Sequence, residues 1–449
     1  MAKIWRILIK FFGRLYFRLG RSASRRPKDY IPASGKVLGS AELDAMLDAS
    51  LDLWLTAGRF NQKFERELAA YLGVPAVFTT NSGSSANLLA LASLQADELG
   101  PRRLRPGDEI ITAAVSFPTT VAPIVQLGCV PVFIDCLPDG NLDPGQLAKA
   151  YSSRTKAVVA AHILGKPFAV EAVKDFCTAH DLWLIEDVCD ALGGIVQGRK
   201  LGTWGDLATF SFYPAHHITM GEGGAVAVNH PLLKKIVLSL RDWGRDCHCP
   251  PGQDNCCGQR FRGHFGQLPA HYDHKYVYGR LGFNLKITDW QAALGGAQLK
   301  RLPYFLAKRR QNAAYLTQHL ADLQDDLILP TEEAGTEAAW FGYMVGVKNP
   351  RISQDALVTY LETQGIGTRP LFAGNILRQP LAASGFKLRI GGQELKTSNQ
   401  LTEADFALLP QTDLLMRRYF WVGIYPGLTF ADLAKTAGVL HTGIRELTN

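Results

Sequence analysis

The chain has no apolar run of 18 residues, so nothing in it is expected to cross a bilayer as a helix. Its eight cysteines are too few for a disulfide scaffold in 449 residues, and four of them crowd between 247 and 257. That clustering favours metal binding in a reducing compartment. The N-terminal apolar residues are broken by Arg or Lys every three or four positions, unlike a secretory leader. No G-x-G-x-x-G follows a strand pattern, which excludes the usual dinucleotide turn. There is no internal repeat and no low-complexity tract. These absences predict a cytoplasmic globular protein, and 47% apolar with 20% charged residues agrees.

The first 28 residues lack acid altogether while holding nine Lys/Arg. Removing these nine charges from the net +7 leaves −2, so the body offers no general nucleic-acid surface. Arg6, Lys10, Arg14 and Arg18 recur every four residues and make one basic stripe on a helix. Its other faces carry Trp5, Ile7, Leu8, Phe11, Phe12, Leu15 and Phe17. Such a helix can lie on an anionic membrane surface, or pack on its own domain or on a partner subunit. Residues 1–29 are therefore read as a basic amphipathic arm whose peripheral membrane contact is one expectation.

Past Pro32, helical and strand patterns alternate. Ser40 to Leu55 and Gln62 to Leu72 read as amphipathic helices. Strands are expected in VFTT, DEIITAAV, VPVFID, TKAVVAAHIL, LWLIEDV and ATFSFY. The alternation predicts an α/β protein with a mostly parallel, doubly wound sheet. The expected division is a large domain over 30–295, with a cysteine loop at 245–260, and a smaller α/β domain over 296–449.

Individual motifs are weak alone. NSGSSANLLAL turns from a strand into a helix, whose free N–H groups and dipole suit an anion, though many such turns only start helices. Asp187 ends an apolar strand and reads as an N-cap or as a buried partner for a cationic ring nitrogen. Of the adjacent His216 and His217, neither is marked as catalytic by itself. The order carries more: phosphate-type turn, aromatic Phe117 after a strand, Asp187, then Ser211 and a basic residue five positions on.

In this order, with FPTTV, WLIEDVCDALG, SFYPAHHITMGEGGAV, LGFNLKITDWQAALG and LFAGNILRQP, the chain resembles the DegT/DnrJ/EryC sugar aminotransferase family from about Pro32 to the end. The resemblance implies the type I (aspartate) aminotransferase fold, pyridoxal or pyridoxamine phosphate as cofactor, and a nucleotide sugar as substrate. It implies that Gly83, Ser84 and Ser211 hold the cofactor phosphate, that Phe117 stacks on the ring, and that Asp187 pairs with the ring nitrogen. Asn284 would reach the phosphate of a neighbouring subunit in a shared-site homodimer. Arg369 is a candidate substrate contact or a surface arginine.

Aminotransferases of the family place a lysine where this chain has His216. Imidazole forms no stable Schiff base but remains a competent general base. A degraded, inactive homologue is the bland alternative. Cys189, Cys247, Cys249 and Cys257 have the Cys-x57-Cys-x-Cys-x7-Cys spacing of the family's 3-dehydrases of CDP-4-keto-6-deoxyglucose. That resemblance implies a [2Fe–2S] cluster on the four thiolates, electrons from an NAD(P)H-dependent flavin reductase, and loss of the C3 hydroxyl in the making of O-antigen dideoxysugars. The donor set alone suits zinc as well. Cys256 beside Cys257 leaves the register open without the family spacing. Cys129, Cys136 and Cys177 read as buried core thiols.

Overall fold

Short apolar runs separated by helices dictate the sheet. In the computed structural model, which describes residues 2–19 and 29–448, nine strands form it. They are β1 (Ala76–Thr80), β2 (Glu109–Ala113), β3 (Val130–Ile134), β4 (Thr155–Ala161), β5 (Trp183–Asp187), β6 (Leu207–Ser211), β7 (Gly224–Val228), β8 (Lys387–Ile390) and β9 (Lys396–Thr397). The spatial order is β1-β7-β6-β5-β4-β2-β3-β8-β9. β6, β5, β4, β2, β3 and β8 pair in parallel, while β7 is antiparallel to both neighbours. Two reversals restore direction, so β1 again ends on the same side as β5 and β6.

Successive residues of the strands serve opposite cores. Ala157 and Val159 pack into one apolar layer, and Val158 and Ala160 into the other. Both faces are covered, which is why these strands read as continuous apolar runs rather than as alternation. The parallel, doubly wound α/β sheet expected from the sequence is present.

Three boundaries differ from expectation. The chain beyond 296 does build a second unit, a four-stranded antiparallel sheet of Leu327–Ile328, Gly342–Val347, Tyr419–Gly423 and Thr368–Pro370. Yet β8 and β9 return to the edge of the large sheet, so a cut at 295 does not separate the units. The periodicity of a single segment does not show which sheet its edge joins. Helix α2 (Ser40–Asp52) stops short of Leu55, and α3 (Arg59–Leu72) begins before Gln62.

The arm forms α1 (Ala2–Leu19), with residues 20–28 outside the described part. Three bases of its stripe reach the acids of α2. Arg6 pairs with Asp52 at 2.6 Å, Lys10 with Asp48 at 2.5 Å and Arg14 with Asp44 at 2.6 Å. The acids recur every four residues along α2, matching the bases. A Cβ at Gly13 would lie 2.9 Å from Leu47, so glycine there permits the close approach. Arg6, Lys10 and Arg14 are thus taken up by the protein's own domain, one of the packings expected for the arm. The uncovered face is apolar: Trp5 is 63% exposed, Phe12 62% and Tyr16 74%. Among the described residues no helix is long and apolar enough to cross a membrane.

Candidate active site

Helix α4 (Gly83–Ser93) starts where β1 ends, with Ser82 as its N-cap: the Ser82 Oγ accepts the Ser85 N–H at 3.0 Å. A capped start leaves the first-turn N–H groups pointing out over the carboxyl edge of the sheet. Glycine at 224, on β7, makes room for this turn, since a Cβ there would fall 2.3 Å from the Ser82 carbonyl oxygen. The Ser211 side chain at the end of β6 lies against Gly83, where an added Cβ would come within 2.5 Å of it.

Around this turn lies a cavity of about 660 Å³. Gly83, Ser84, Phe117, Asp187, Ser211, His216 and Arg369 all line it, as does Cys189. Among the described residues that line it there is no lysine. Asp187, buried at the end of β5, accepts three hydrogen bonds. Thr120 Oγ1 and Asn87 Nδ2 donate to its Oδ2 at 2.7 and 2.9 Å, and the Cys189 N–H donates to Oδ1 at 3.1 Å. Phe117, which precedes α5 (Pro118–Gln126), is half exposed within the cavity and meets Phe372 edge-on at 6.4 Å. Arg369 is exposed and donates to the Thr368 carbonyl at 2.6 Å.

The two histidines separate cleanly. His217 is buried, with Nε2 2.5 Å from the Ala339 carbonyl, and burial holds its ring well below the usual histidine range. His216 lines the cavity with Nδ1 3.3 Å from Asp190 Oδ1. Burial pushes the Asp190 carboxyl up, against the pull of His216. Asp190 Oδ2 and His216 Nδ1 have no aligned hydrogen-bond partner among the described residues. A buried polar atom left so costs about 1–3 kcal/mol, which a polar ligand in the cavity removes. An anion turn, a buried acceptor, an aromatic face and these orphaned atoms fit a phosphorylated aromatic cofactor.

Asn284 is exposed outside its own chain's cavity, its side-chain oxygen accepting from Lys286 Nζ at 2.6 Å.

Two of the four candidate cysteines group with a histidine. Cys249 contacts the thiols of Cys256, Cys247 and Cys257; burial opposes its ionisation, and these neighbours outweigh burial and pull it down to about 7. The ligand atoms of Cys247, Cys257 and His274 lie within 4.8 Å of one another. Cys189 is in no such group. It sits in the cavity wall, where burial and the Asp187 charge push its thiol far up. The spacing that linked it to the loop carries no information on whether one chain brings the two together. Cys257 faces His274 and Cys256 is exposed, which favours Cys257 in the open register. Cys129, Cys136 and Cys177 are buried.

Comparison with known proteins bears on this site. Residues 38–440 match the model of the DegT/DnrJ/EryC1/StrS aminotransferase family. The chain belongs to that family.

Among its relatives, the lipopolysaccharide biosynthesis protein RfbH of Salmonella typhimurium is 50% identical over 405 residues, 90% of this chain and 89% of that protein. The dTDP-4-dehydro-2,6-dideoxy-D-glucose 3-dehydratase of Saccharopolyspora spinosa is 46% identical over 401 residues, 89% of this chain and 83% of the other. A solved structure of Escherichia coli GDP-4-keto-6-deoxy-D-mannose-3-dehydratase with bound hydrated pyridoxal phosphate superposes with a TM-score of 0.80 at 26% identity. It covers 91% of this chain and 99% of that one. The chain is an enzyme with the sugar aminotransferase fold of this family.

Within the family frame, Asn87, Thr120 and Asp190 complete the site and were not found by sequence reasoning. Asn87 follows Gly83 by one helical turn, and Thr120 lies in the same FPTT run as Phe117. One turn of helix brings i and i+4 to one face, a signal that could have pointed to Asn87. Asp190 had no distinguishing pattern beyond its nearness to Asp187.

Proposed function

We propose that the chain is a pyridoxamine-phosphate-dependent 3-dehydratase of a nucleotide-linked 4-keto-6-deoxyhexose, working in deoxysugar biosynthesis for surface polysaccharide. The observation that carries this is a family cavity with His216 in its wall and no lysine around it. The dehydratase and lipopolysaccharide names of the relatives support it.

Pyridoxamine phosphate, when bound, supplies the amine that condenses with the C4 ketone and a ring that accepts electrons. Gly83 and Ser84 hold its phosphate from the start of α4, and Ser211 adds a hydroxyl. Asp187 accepts from the ring N–H, its geometry fixed by Asn87 and Thr120. Phe117 covers one face of the ring and keeps water from it. His216, with Nδ1 toward Asp190, would be the base that takes a proton at Nε2, and that proton would leave with the C3 hydroxyl as water. Arg369 reaches the nucleotide phosphates at the mouth. Without a lysine, nothing in the cavity tethers the cofactor or shuttles the proton by the ordinary transamination route.

The loop thiolates are proposed to carry a [2Fe–2S] cluster, which supplies electrons one at a time from a separate NAD(P)H-dependent flavin reductase. The grouping of Cys247 and Cys257 with His274 supports a metal there. A homodimer is proposed in which the exposed Asn284 serves the partner's phosphate site. Membrane contact is proposed on a changed footing: the aromatic face of α1 enters an anionic surface, drawn by Arg18, Arg21, Arg25, Arg26 and Lys28, which no acid in 1–28 offsets.

The test is consumption of CDP-, dTDP- and GDP-linked 4-keto-6-deoxyhexoses by the enzyme with cofactor and a reductase. One nucleotide should be preferred, and CDP is the one expected from the sequence. His216→Asn should abolish consumption; turnover unchanged in that variant would remove His216 from its role.

A further inference from the structure

Arg309 is buried, yet among the described residues no carboxylate bonds to it. It sits on the helix Leu302–His319, and its guanidinium reaches in two directions. One terminal nitrogen donates to the carbonyls of Trp340 and Phe341, at 3.2 and 2.8 Å. The other donates to those of Ala215 and His216, at 3.2 and 3.4 Å. Burial pushes the guanidinium down to about 10, opposed by the Asp190 charge, so it remains a cation at neutral pH. Taking such a charge out of water is costly, and an apolar side chain would fill the same space at lower cost. What the planar fork does that an apolar chain cannot is join two peptides at a fixed spacing. Both peptides surround His216. One is the histidine's own, and the other carries Phe341, whose ring lies 5.2 Å from the imidazole. Trp340, just before it, has a φ of 23°, a backbone conformation that needs support from outside. His217 adds a second tie, from Nε2 to the Ala339 carbonyl.

We propose that Arg309 is a positioning residue for His216. It locks the 215–216 backbone onto the 340–341 backbone, so that the imidazole enters the cavity with Nδ1 toward Asp190. Arg309 is not among the residues that line the cavity, so it acts through the histidine. Its role in turnover rests on His216 being the base, as proposed above; the anchoring of the backbone does not.

The experiment compares Arg309→Met and Arg309→Lys with the wild type, each as the full-length holoenzyme with a reductase. Single-turnover consumption of a 4-keto-6-deoxy nucleotide sugar is followed with pyridoxamine phosphate carrying hydrogen or deuterium at C4′. Arg309→Met should lower the rate about 10²-fold, the usual effect of displacing a reacting group by about 1 Å. The deuterium isotope effect should rise with that loss, while cofactor affinity and the steady-state KM for the sugar stay within about twofold. Arg309→Lys, which keeps the charge and part of the bonding, should recover part of the rate. Should Arg309→Met not fold, Arg309→Lys carries the same readings at a smaller loss. In a His216→Asn background, Arg309→Met should cost nothing further, because both changes remove one function. A rate per folded site and an isotope effect that stay unchanged, whatever the melting temperature, overturn the proposal. So does a full additional loss beside His216→Asn. Nitrogen-15 NMR of the histidine-labelled holoenzyme reads the anchoring without turnover. The His216 signals, assigned by their loss in His216→Asn, should shift in Arg309→Met, and unchanged signals overturn the proposal. If His216→Asn alone leaves the wild-type rate intact, the base reading fails, and the NMR result still decides whether Arg309 places the ring.

Discussion

Asp187, Asn87 and Thr120 show how one buried carboxylate is prepared for a cation. Both donors converge on Oδ2, and Oδ1 takes a backbone N–H, so the side chain cannot rotate without breaking three bonds. Asp187→Asn keeps the volume but removes the charge and turns one acceptor into a donor facing Thr120 and Asn87. Cofactor affinity and turnover should both fall, by tenfold or more, since a lost charged hydrogen bond is worth about 1.5–3 kcal/mol; absorbance titration with pyridoxamine phosphate measures it. His216→Asn should leave that affinity within a fewfold and lower turnover by about 10²–10⁴, the usual worth of a general base. The contrast separates binding from proton transfer. Asp187 and His216 were legible in sequence because family motifs flank them. Asn87, Thr120 and Asp190 are less legible, since the first two act from helices α4 and α5 that tertiary packing brings to the end of β5.

At the scale of elements, the start of α4 depends on a strand that contributes no ligand. Gly224 on β7 gives space to the Ser82 carbonyl, and Gly224→Ala would place a methyl 2.3 Å from that oxygen. The turn must shift, at about 1–3 kcal/mol of stability. Thermal denaturation should show the loss without cofactor, and phosphate-dependent cofactor affinity should weaken with it. The sequence has Gly221, Gly223 and Gly224 here without a sign of what they face. Helix α1 is the opposite case. Its basic stripe is plain in the sequence, which leaves a membrane surface, a partner and its own domain open, because the matching acids of α2 lie 30 to 46 residues on. Exposed pairs contribute about 0.2–1 kcal/mol each, and salt screens them. Asp48→Ala should therefore loosen α1 mildly, seen as faster amide exchange over 2–19 at low salt, with enzyme turnover unchanged.

For the molecule as a whole, the sheet explains why chemistry from distant segments meets. β1, β5 and β6 end on one side, and the turns after them supply the anion turn, Asp187 and Ser211 with His216. The parallel core was legible because buried strands are short apolar runs between helices. The return of β8 and β9 to that sheet was not, since edge pairing is decided by tertiary packing. Asn284, exposed and outside its own cavity, makes a prediction that only an assembly can meet. Mixing Asn284→Ala with His216→Asn subunits should restore about half of wild-type turnover per mixed dimer, about a quarter for a random equal mixture, if each site draws on both chains, and none if each chain supplies both residues to its own site.

The central claim is that this cavity removes a hydroxyl and does not transfer an amine. The direct measurement is the product formed from a 4-keto-6-deoxy nucleotide sugar with pyridoxamine phosphate, reductant and glutamate, resolved by proton NMR and mass. The account predicts a 4-keto sugar with a methylene at C3 and one oxygen fewer. A product with an amine at C4 and its C3 hydroxyl intact would contradict it.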